Sequence, residues 1–179
     1  AGPVTGDAVV LAGVLLPGVP APEVVPMRST VLWAHPPPGL AAAWAEAPCW
    51  VDLGGADDHW GMPPMAGLPM KLGLGRMTRP GDPATERPTT PADVAEILAA
   101  YRGRFRDWEG ARPIRAAANF YRMAPGARFH LGQTGRVFTV AADSGHGFKF
   151  GALTGLDLAE AVTEGRIAAV ARRMAGETT

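Results

Sequence analysis

Short apolar runs bounded by glycine or proline dominate the pattern of the chain. The first, from Asp7 to Gly13, is continuously apolar after its aspartate, which is typical of a strand buried on both faces of a parallel sheet. The later runs are mixed with polar residues and separated by turn-forming residues, a pattern that favours a mostly antiparallel sheet. These predicted strands are residues 27–35, 49–53, 59–62, 70–74, 114–122 and 137–142.

Helical patterns are fewer and lie mainly in the second half of the chain. Thr90-Pro91-Ala92-Asp93 predicts a helix start, because a capping threonine precedes a proline at the first helical position and an acid at the third. Apolar residues then recur at helical spacing, and the same spacing predicts a final helix after Gly165. Shorter helices are predicted at 40–47 and 152–163. Together these elements predict an α+β fold, in which residues 1–13 and the strand–turn–helix at 137–179 belong to an α/β layer.

Composition narrows the class of protein. Among 179 residues there are 23 Gly and 18 Pro, but the 47% apolar content is that of a globular protein. Seventeen basic and seventeen acidic residues cancel, so no nucleic-acid-binding patch is expected, and no apolar run is long enough for a membrane span. With a single cysteine, Cys49, we expect a soluble, cytoplasmic protein without disulfides and with no metal site.

The basic residues are unevenly divided, with fifteen arginines and two lysines, Lys71 and Lys149. Arginine replaces lysine readily on a surface, but it cannot supply a compact amine that acts as a point charge in a tight site. The two lysines are therefore candidates for chemistry, and chance survival in an arginine-rich chain is the alternative.

The stretch Ser144-Gly-His-Gly-Phe-Lys-Phe150 is the most specific motif. A strand leads into this glycine-rich turn and a helix follows, so free backbone N–H groups and the positive end of a helix dipole face any electron-rich ligand. The stretch closely resembles the C-terminal signature of the FAD-dependent amine oxidase (DAO) superfamily, which includes monomeric sarcosine oxidase, N-methyltryptophan oxidase and glycine oxidase. Three further segments resemble that family in the same order: 7–13, 70–73 and 119–125.

The resemblance covers the C-terminal half of the family fold and implies a domain organisation. Residues 1–13 would be a strand of the FAD-binding layer, 14–136 a substrate-binding α+β domain, and 137–179 the last strand, glycine turn and helix of the FAD-binding layer. The chain would then be the substrate-domain half of a flavoenzyme that oxidises the C–N bond of an amino acid or secondary amine. The alternative is a stand-alone, non-redox domain that binds a small carboxylate or a partner protein.

Site residues follow from the same resemblance. Lys71 would lie over the flavin ring and help activate dioxygen, and Lys149 would bind the substrate carboxylate; a salt-bridged strand lysine and a solvated helix start are the alternatives. Tyr121 would act on the substrate side of the site, together with Trp60, although a tyrosine packed in a sheet is the competing interpretation. The residues expected to contact FAD are Ser144, Gly145, His146, Gly147, Phe148 and Lys149.

Departures from the family pattern change two expectations about the cofactor. No Gly-x-Gly-x-x-Gly occurs, so the half that binds the ADP end of FAD is expected from a second polypeptide, from a cleaved precursor or from the full gene product. Asn119 stands where the sarcosine-oxidase branch has its flavin-linking cysteine, so FAD is expected to bind non-covalently.

Overall fold

The structure of the protein is a computed structural model that describes residues 6–13, 23–52, 55 and 57–177. It contains eight strands and four α-helices in the described part of the chain. The strands are β1 (Val9–Ala12), β2 (Val25–His35), β3 (Trp50–Val51), β4 (His59–Met62), β5 (Met70–Pro80), β6 (Arg112–Met123), β7 (His130–Thr134) and β8 (Val137–Ala142). The helices are α1 (Ala41–Ala45), α2 (Pro91–Arg104), α3 (Gly147–Glu164) and α4 (Ile167–Met174).

The chain divides into two compact units. The sheet unit, as we call it, is residues 27–120, and the turn unit is residues 1–26 together with 121–179. The coarse α+β prediction is confirmed, since mixed sheets and four helices are present. Among the described residues, no helix is both long and apolar enough to span a lipid bilayer.

The sheet unit is built on five strands in the order β3-β4-β5-β2-β6. The pairs β3–β4, β4–β5 and β5–β2 are antiparallel, as predicted for this part of the chain. Alternate residues of β2 and β5 enter a core that also receives α2, and the core includes a group of aromatic side chains. Its fully buried members include Leu32, Leu72, Leu74, Ile97 and Tyr101.

Helix α2 begins where the sequence predicts, and its capping box is confirmed. The Thr90 hydroxyl accepts a hydrogen bond from the Asp93 N–H at 3.2 Å, and the Asp93 carboxylate accepts one from the Thr90 N–H at 2.7 Å. Two N–H groups that a helix start leaves without partners are thereby satisfied.

The turn unit holds a three-stranded sheet in the order β1-β8-β7. Strand β1 pairs with β8 in parallel, and β8 pairs with β7 in antiparallel fashion. Helices α3 and α4 bury apolar residues against Leu131, Phe138 and Val140 of this sheet. An Arg173–Asp157 ion pair at 2.6 Å joins the two helices.

Three details differ from the sequence-based predictions. Strand β7 was not predicted, because its His-Leu-Gly-Gln-Thr sequence has a single large apolar residue. Helix α3 begins at Gly147, five residues before the predicted start, and β5 continues to Pro80 instead of ending at Leu74. The assignment of the two units to a substrate layer and a cofactor layer remains a prediction.

Candidate functional site

The glycine-rich turn between β8 and α3 is held in a backbone conformation that its glycines permit. Ser144 and Gly145 both have positive φ, at 49° and 80°. A Cβ atom on residue 145 would lie 3.2 Å from the ring of Tyr121, so this glycine also allows a close approach to the tyrosine. Two of the predicted site residues, Tyr121 and Gly145, are therefore neighbours in the turn unit.

Asp143 organises the first part of the turn. Its carboxylate accepts a hydrogen bond from the Gly145 N–H at 3.0 Å, and its backbone carbonyl accepts one from the His146 N–H at 2.8 Å. A Cβ on Gly147 would lie 2.3 Å from an Asp143 carboxylate oxygen, so the aspartate fills the space above that glycine. The amides of residues 145 and 146 are consequently occupied within the turn.

The amides that remain free are the next three. In the described part of the chain, the N–H groups of Gly147, Phe148 and Lys149 have no hydrogen-bond partner, and the first helical bond runs from the Phe150 N–H to the His146 carbonyl. These amides stand at the positive end of an 18-residue helix. The free N–H groups are therefore those of residues 147–149, whereas those of residues 144–146 are bonded within the protein.

Ser144 anchors the turn to the segment that follows β6. Its hydroxyl donates to the Arg128 carbonyl at 2.8 Å and accepts from the Ala124 N–H at 3.1 Å. Its own N–H donates to the Arg122 carbonyl at 3.0 Å. With a side chain that is 3% exposed, Ser144 holds the turn in place and has its polar groups already bonded.

His146 carries a polar atom without a partner. Its Nδ1 is buried and forms no hydrogen bond with any described residue. The imidazole contacts the ring of Phe150 edge-on, at 6.4 Å between centroids. A buried, unbonded nitrogen beside three free amides is the pattern left when a polar ligand completes a site.

Tyr121 lies half-buried on β6. Burial raises the pKa of its hydroxyl above the ordinary value of 10.0, and the nearby charge of Asp143 raises it further. The hydroxyl therefore stays protonated at neutral pH and can donate a hydrogen bond.

Phe148 and Lys149 are both exposed, Phe148 completely so.

Lys71 occupies the other unit, in the middle of the five-stranded sheet. Lys71 lies on β5, and its cross-strand neighbours are Trp33 of β2 on one side and Met62 of β4 on the other. Its Nζ lies 5.5 Å from the centroid of the Trp33 ring and 5.6 Å from that of Trp60, within the range of cation–π attraction. In the described part of the chain, no carboxylate lies within 4.0 Å of this amine. The salt-bridged alternative therefore finds no support.

The position of Trp60 depends on Gly73, which lies two residues after Lys71 on β5. Trp60 and Gly73 are paired across β4 and β5, and a Cβ on residue 73 would lie 2.2 Å from the indole. Beneath them, the buried Tyr101 hydroxyl donates to the carbonyls of Trp60 and Gly73, at 2.6 and 3.1 Å. Burial raises the pKa of Tyr101 well above its ordinary value, so this donor stays protonated. The Lys-Leu-Gly sequence thus gives the indole room to lie beside the lysine.

Two residues that sequence reasoning missed join Lys71. The Arg115 guanidinium carbon lies 4.2 Å from the centroid of the Trp33 ring, so Lys71 and Arg115 contact the same indole. Arg115 was not distinguishable among fifteen arginines, and Trp33 was attributed to a strand without a role. The signal available was strand alternation, which places Trp33 and Lys71 on one face once the register is known.

Comparison with known proteins identifies the family. Residues 1–161 match the family model described as FAD dependent oxidoreductase, DAO. The chain belongs to the DAO family. The predicted resemblance is thereby confirmed. No match is found among curated proteins.

Solved structures of related fold include enzymes that act on different substrates. Glycine oxidase from Geobacillus kaustophilus has a TM-score of 0.62 at 19% identity over 82% of this chain and 37% of that one. Iminodiacetate oxidase from Chelativorans sp. BNC1 has a TM-score of 0.62 at 18% identity, covering 91% of this chain and 44% of that one. A modified fructosyl peptide oxidase from Aspergillus nidulans has a TM-score of 0.67 at 20% identity, covering 96% and 45%. This DAO-family chain therefore spans less than half the length of these neighbours and shares their fold.

The residues present fit one end of the FAD molecule that the family binds. Three unbonded amides and the buried Nδ1 of His146 are suited to the polar edge of a flavin ring. The 179 residues contain no Gly-x-Gly-x-x-Gly for the nucleotide end.

Proposed function

We propose that this DAO-family chain forms the substrate side of an FAD-dependent enzyme that oxidises the C–N bond of an amino acid or a secondary amine. The observation that supports this most is Lys71, a cation held between two indoles on a sheet face without a carboxylate partner in the described part of the chain. An amine without an ion-pair partner, held against two aromatic rings, is available to stabilise negative charge that develops beside it.

The turn unit would hold the cofactor ring. A bound flavin would accept the hydride from the carbon next to the substrate nitrogen. The amides of Gly147, Phe148 and Lys149 would donate to its carbonyl edge, and His146 Nδ1 would complete the polar contacts. These donors are fixed before binding, so they stabilise negative charge without reorganising.

The two lysines would divide the remaining work. Lys71 would stabilise negative charge that develops when dioxygen is reduced, with the Trp33 and Trp60 rings beside its amine. Lys149 would contact the substrate carboxylate from the start of α3, where the helix dipole also favours an anion. Tyr121, protonated at neutral pH, would donate a hydrogen bond on the substrate side. Trp60 would form part of the substrate wall.

FAD in this proposal is bound non-covalently, in a cytoplasmic protein. Asn119, exposed on β6, offers an amide in place of the linking thiol, and the exposed Cys49 belongs to a different segment. The nucleotide end of FAD needs a polypeptide with Gly-x-Gly-x-x-Gly outside these 179 residues, in a second chain or in a longer form of this one.

A visible spectrum tests the proposal. FAD added to the purified chain alone should bind weakly or not at all, whereas the complex purified with its nucleotide-binding partner should be yellow. Acid precipitation should release all of the flavin, and an amine substrate should bleach the yellow colour in the absence of oxygen. A partner complex without flavin would favour the alternative of a non-redox domain that binds a small carboxylate or a protein.

A further inference from the structure

Two methionines are exposed in the described part of the chain, and both lie in the sheet unit. Met62 ends β4 and is 38% exposed, and Met65, in the connection that follows, is 57% exposed. The other five methionines are half-buried or buried. A methionine thioether is oxidised where the oxidant reaches its sulfur. Met62 and Met65 are therefore the methionines that are accessible to an oxidant in solution.

The register of the sheet places Met62 directly opposite Lys71. Met62 of β4 and Lys71 of β5 are paired residues, and Trp33 of β2 is paired with Lys71 from the other side. Residues opposite each other in an antiparallel pair project from the same face, with their Cβ atoms about 4.5–5.5 Å apart. Both side chains are long and unbranched, so the thioether and the amine are within reach of each other on one face of the sheet.

The Lys71 amine has no oxygen acceptor in the described part of the chain. Its contacts there are the rings of Trp33 and Trp60, with Nζ 5.5 and 5.6 Å from their centroids. An ammonium group carries three N–H donors, and a thioether sulfur is only a weak acceptor. An oxygen on the Met62 side chain would instead accept a charge-assisted hydrogen bond, which is the stronger kind. Lys71 is thus an unused donor beside an oxidisable neighbour.

Hydrogen peroxide supplies such an oxygen. A lone pair of the Met62 sulfur attacks one peroxide oxygen, an S–O bond forms, and the O–O bond breaks. The sulfur is oxidised by two electrons, and the second oxygen takes the proton of the first and leaves as water. The product is methionine sulfoxide, a polar side chain in place of an apolar one. Sulfoxide reductases return it to the thioether, so the change is reversible.

We infer that Met62 is a regulatory oxidation site, at which hydrogen peroxide forms a sulfoxide that binds the Lys71 amine and slows reduction of dioxygen. The inference rests on the proposed function, in which two-electron reduction of dioxygen beside Lys71 yields hydrogen peroxide. Peroxide formed there meets Met62 before Met65, because Met65 pairs with Leu68, three residues or about 10 Å of extended chain before Lys71. The enzyme would then slow its own reoxidation as peroxide accumulates.

The rarity of lysine allows a direct NMR test on the flavin-free chain. An isotope label at lysine Cε gives signals from two side chains, Lys71 and Lys149. Hydrogen peroxide is the probe, and peptide mapping by mass spectrometry identifies the methionines that gain an oxygen. We expect the Lys71 signal to shift in proportion to oxidation of Met62, and the Lys149 signal to stay unchanged. Oxidised Met62 without a shift at Lys71, or Met62 that resists peroxide while Met65 is oxidised, would overturn the inference.

Matched variants reproduce or block the effect. Met62→Gln carries an amide oxygen close to the position of the sulfoxide oxygen, so it should shift the Lys71 signal without peroxide. Met65→Gln is the control at the other exposed methionine and should leave that signal unchanged. Met62→Leu conserves apolar volume and forms no sulfoxide, so peroxide should no longer shift Lys71. A peroxide shift that persists in Met62→Leu, or an equal shift in Met65→Gln, would overturn the inference.

The complete flavoenzyme tests the regulatory consequence. Met62→Gln should slow reoxidation by dioxygen about tenfold and leave flavin reduction by the amine unchanged, because the new hydrogen bond competes for a charge that reoxidation uses. During turnover with catalase in solution, which destroys escaping peroxide, Met62 should be oxidised ahead of Met65.

The inference and the proposed function can fail separately. An enzyme that turns over with dioxygen while Met62 stays unoxidised would overturn the inference and leave the proposed function intact. A partner complex without flavin would contradict the proposed function, whereas the NMR experiments on the flavin-free chain would still decide whether an oxygen on Met62 binds Lys71.

Discussion

The two sheets of this protein differ in how completely their apolar surface is covered by the described chain. In the sheet unit, α2 and a cluster of aromatic rings cover one face so thoroughly that Leu32, Leu72 and Leu74 have no exposed surface. In the turn unit, β1 is an edge strand of the described sheet, and Val9 and Val10 are nearly half exposed.

Helix α3 of the turn unit also leaves apolar side chains exposed. Of its 18 residues, two are buried, while Phe148, Leu153 and Leu156 are largely exposed. A parallel strand pair with one free edge and a helix with an uncovered apolar face are features of an α/β layer that continues in other polypeptide. The sheet unit buries its own core, whereas the turn unit leaves apolar side chains exposed in the described part of the chain. The following predictions test that difference, from the largest expected effect to the smallest.

The largest effect is expected at the two lysines, one in each unit. In the complete flavoenzyme, Lys71→Met should slow reoxidation by dioxygen about a hundredfold to a thousandfold, because one preorganised cation is lost, and should leave flavin reduction by the amine nearly intact. Lys149→Met should instead weaken substrate binding and spare reoxidation. Stopped-flow measurement of the two half-reactions separates these effects. Identical behaviour of the two variants would contradict the division of roles.

Association should depend on the turn unit. Without a partner, we expect the chain to self-associate, and Val10→Lys on β1 or Leu156→Gln on α3 should raise the apparent dissociation constant roughly tenfold, which corresponds to the burial of one apolar side chain. Leu68→Gln in the sheet unit, of similar exposure, is the control and should change nothing. Sedimentation velocity over a range of concentrations measures this. A wild-type chain that stays monomeric throughout would contradict the prediction.

The two tyrosines should differ in their effect on stability. Tyr101→Phe removes the buried donor to the carbonyls of Trp60 and Gly73, so the free energy of unfolding should fall by about 1–3 kcal/mol. Tyr121→Phe should change it by less than about 0.5 kcal/mol, because the hydroxyl has no hydrogen-bond partner among the described residues. Urea unfolding of both variants gives the comparison. Equal losses would show that the Tyr101 hydrogen bonds add no stability.

Within α3, two glycines should respond in opposite directions. Gly147→Ala places a methyl group against Asp143, which must release the Gly145 N–H, so we expect a loss of about 1 kcal/mol. A Cβ on Gly155 meets nothing within 4 Å, and Gly155→Ala should stabilise the helix by about 0.5–1 kcal/mol. Thermal or urea unfolding distinguishes the two. Stabilisation by both substitutions would mean that Asp143 does not restrict the turn.

The smallest effect concerns pH and is confined to the turn unit. Burial lowers the pKa of His130 below its ordinary value of 6.5, so the unfolded chain takes up a proton more readily than the folded one. The stability contribution is therefore complete above the ordinary pKa and declines as pH falls below 6.5 toward the lowered folded pKa. His130→Gln should flatten this part of the stability profile in urea titrations. An unchanged slope in the variant would assign the dependence to other groups.

Local features were the ones that sequence reasoning predicted well. The capping box at Thr90, the strand from Val137 to Ala142 and the glycine turn before a helix each depend on neighbouring residues, so the chain carries their signal within a few positions. The family signature around Ser144–Phe150 is equally local, and it led to the correct family. Lys71 and Lys149 stood out because lysine is rare in this composition.

What the tertiary structure decided depends on residues that are distant in the chain. The register between β2 and β5 places Trp33 beside Lys71, and no local pattern specifies which residues of two strands pair. Strand β7 likewise forms because β8 supplies its hydrogen bonds, despite its weak apolar pattern. Asp143 occupies two amides of the turn, one through its carboxylate and one through its backbone carbonyl, an arrangement that composition does not encode. The sequence alone therefore determined the family and the candidate lysines, whereas long-range strand pairing decided which side chains surround Lys71.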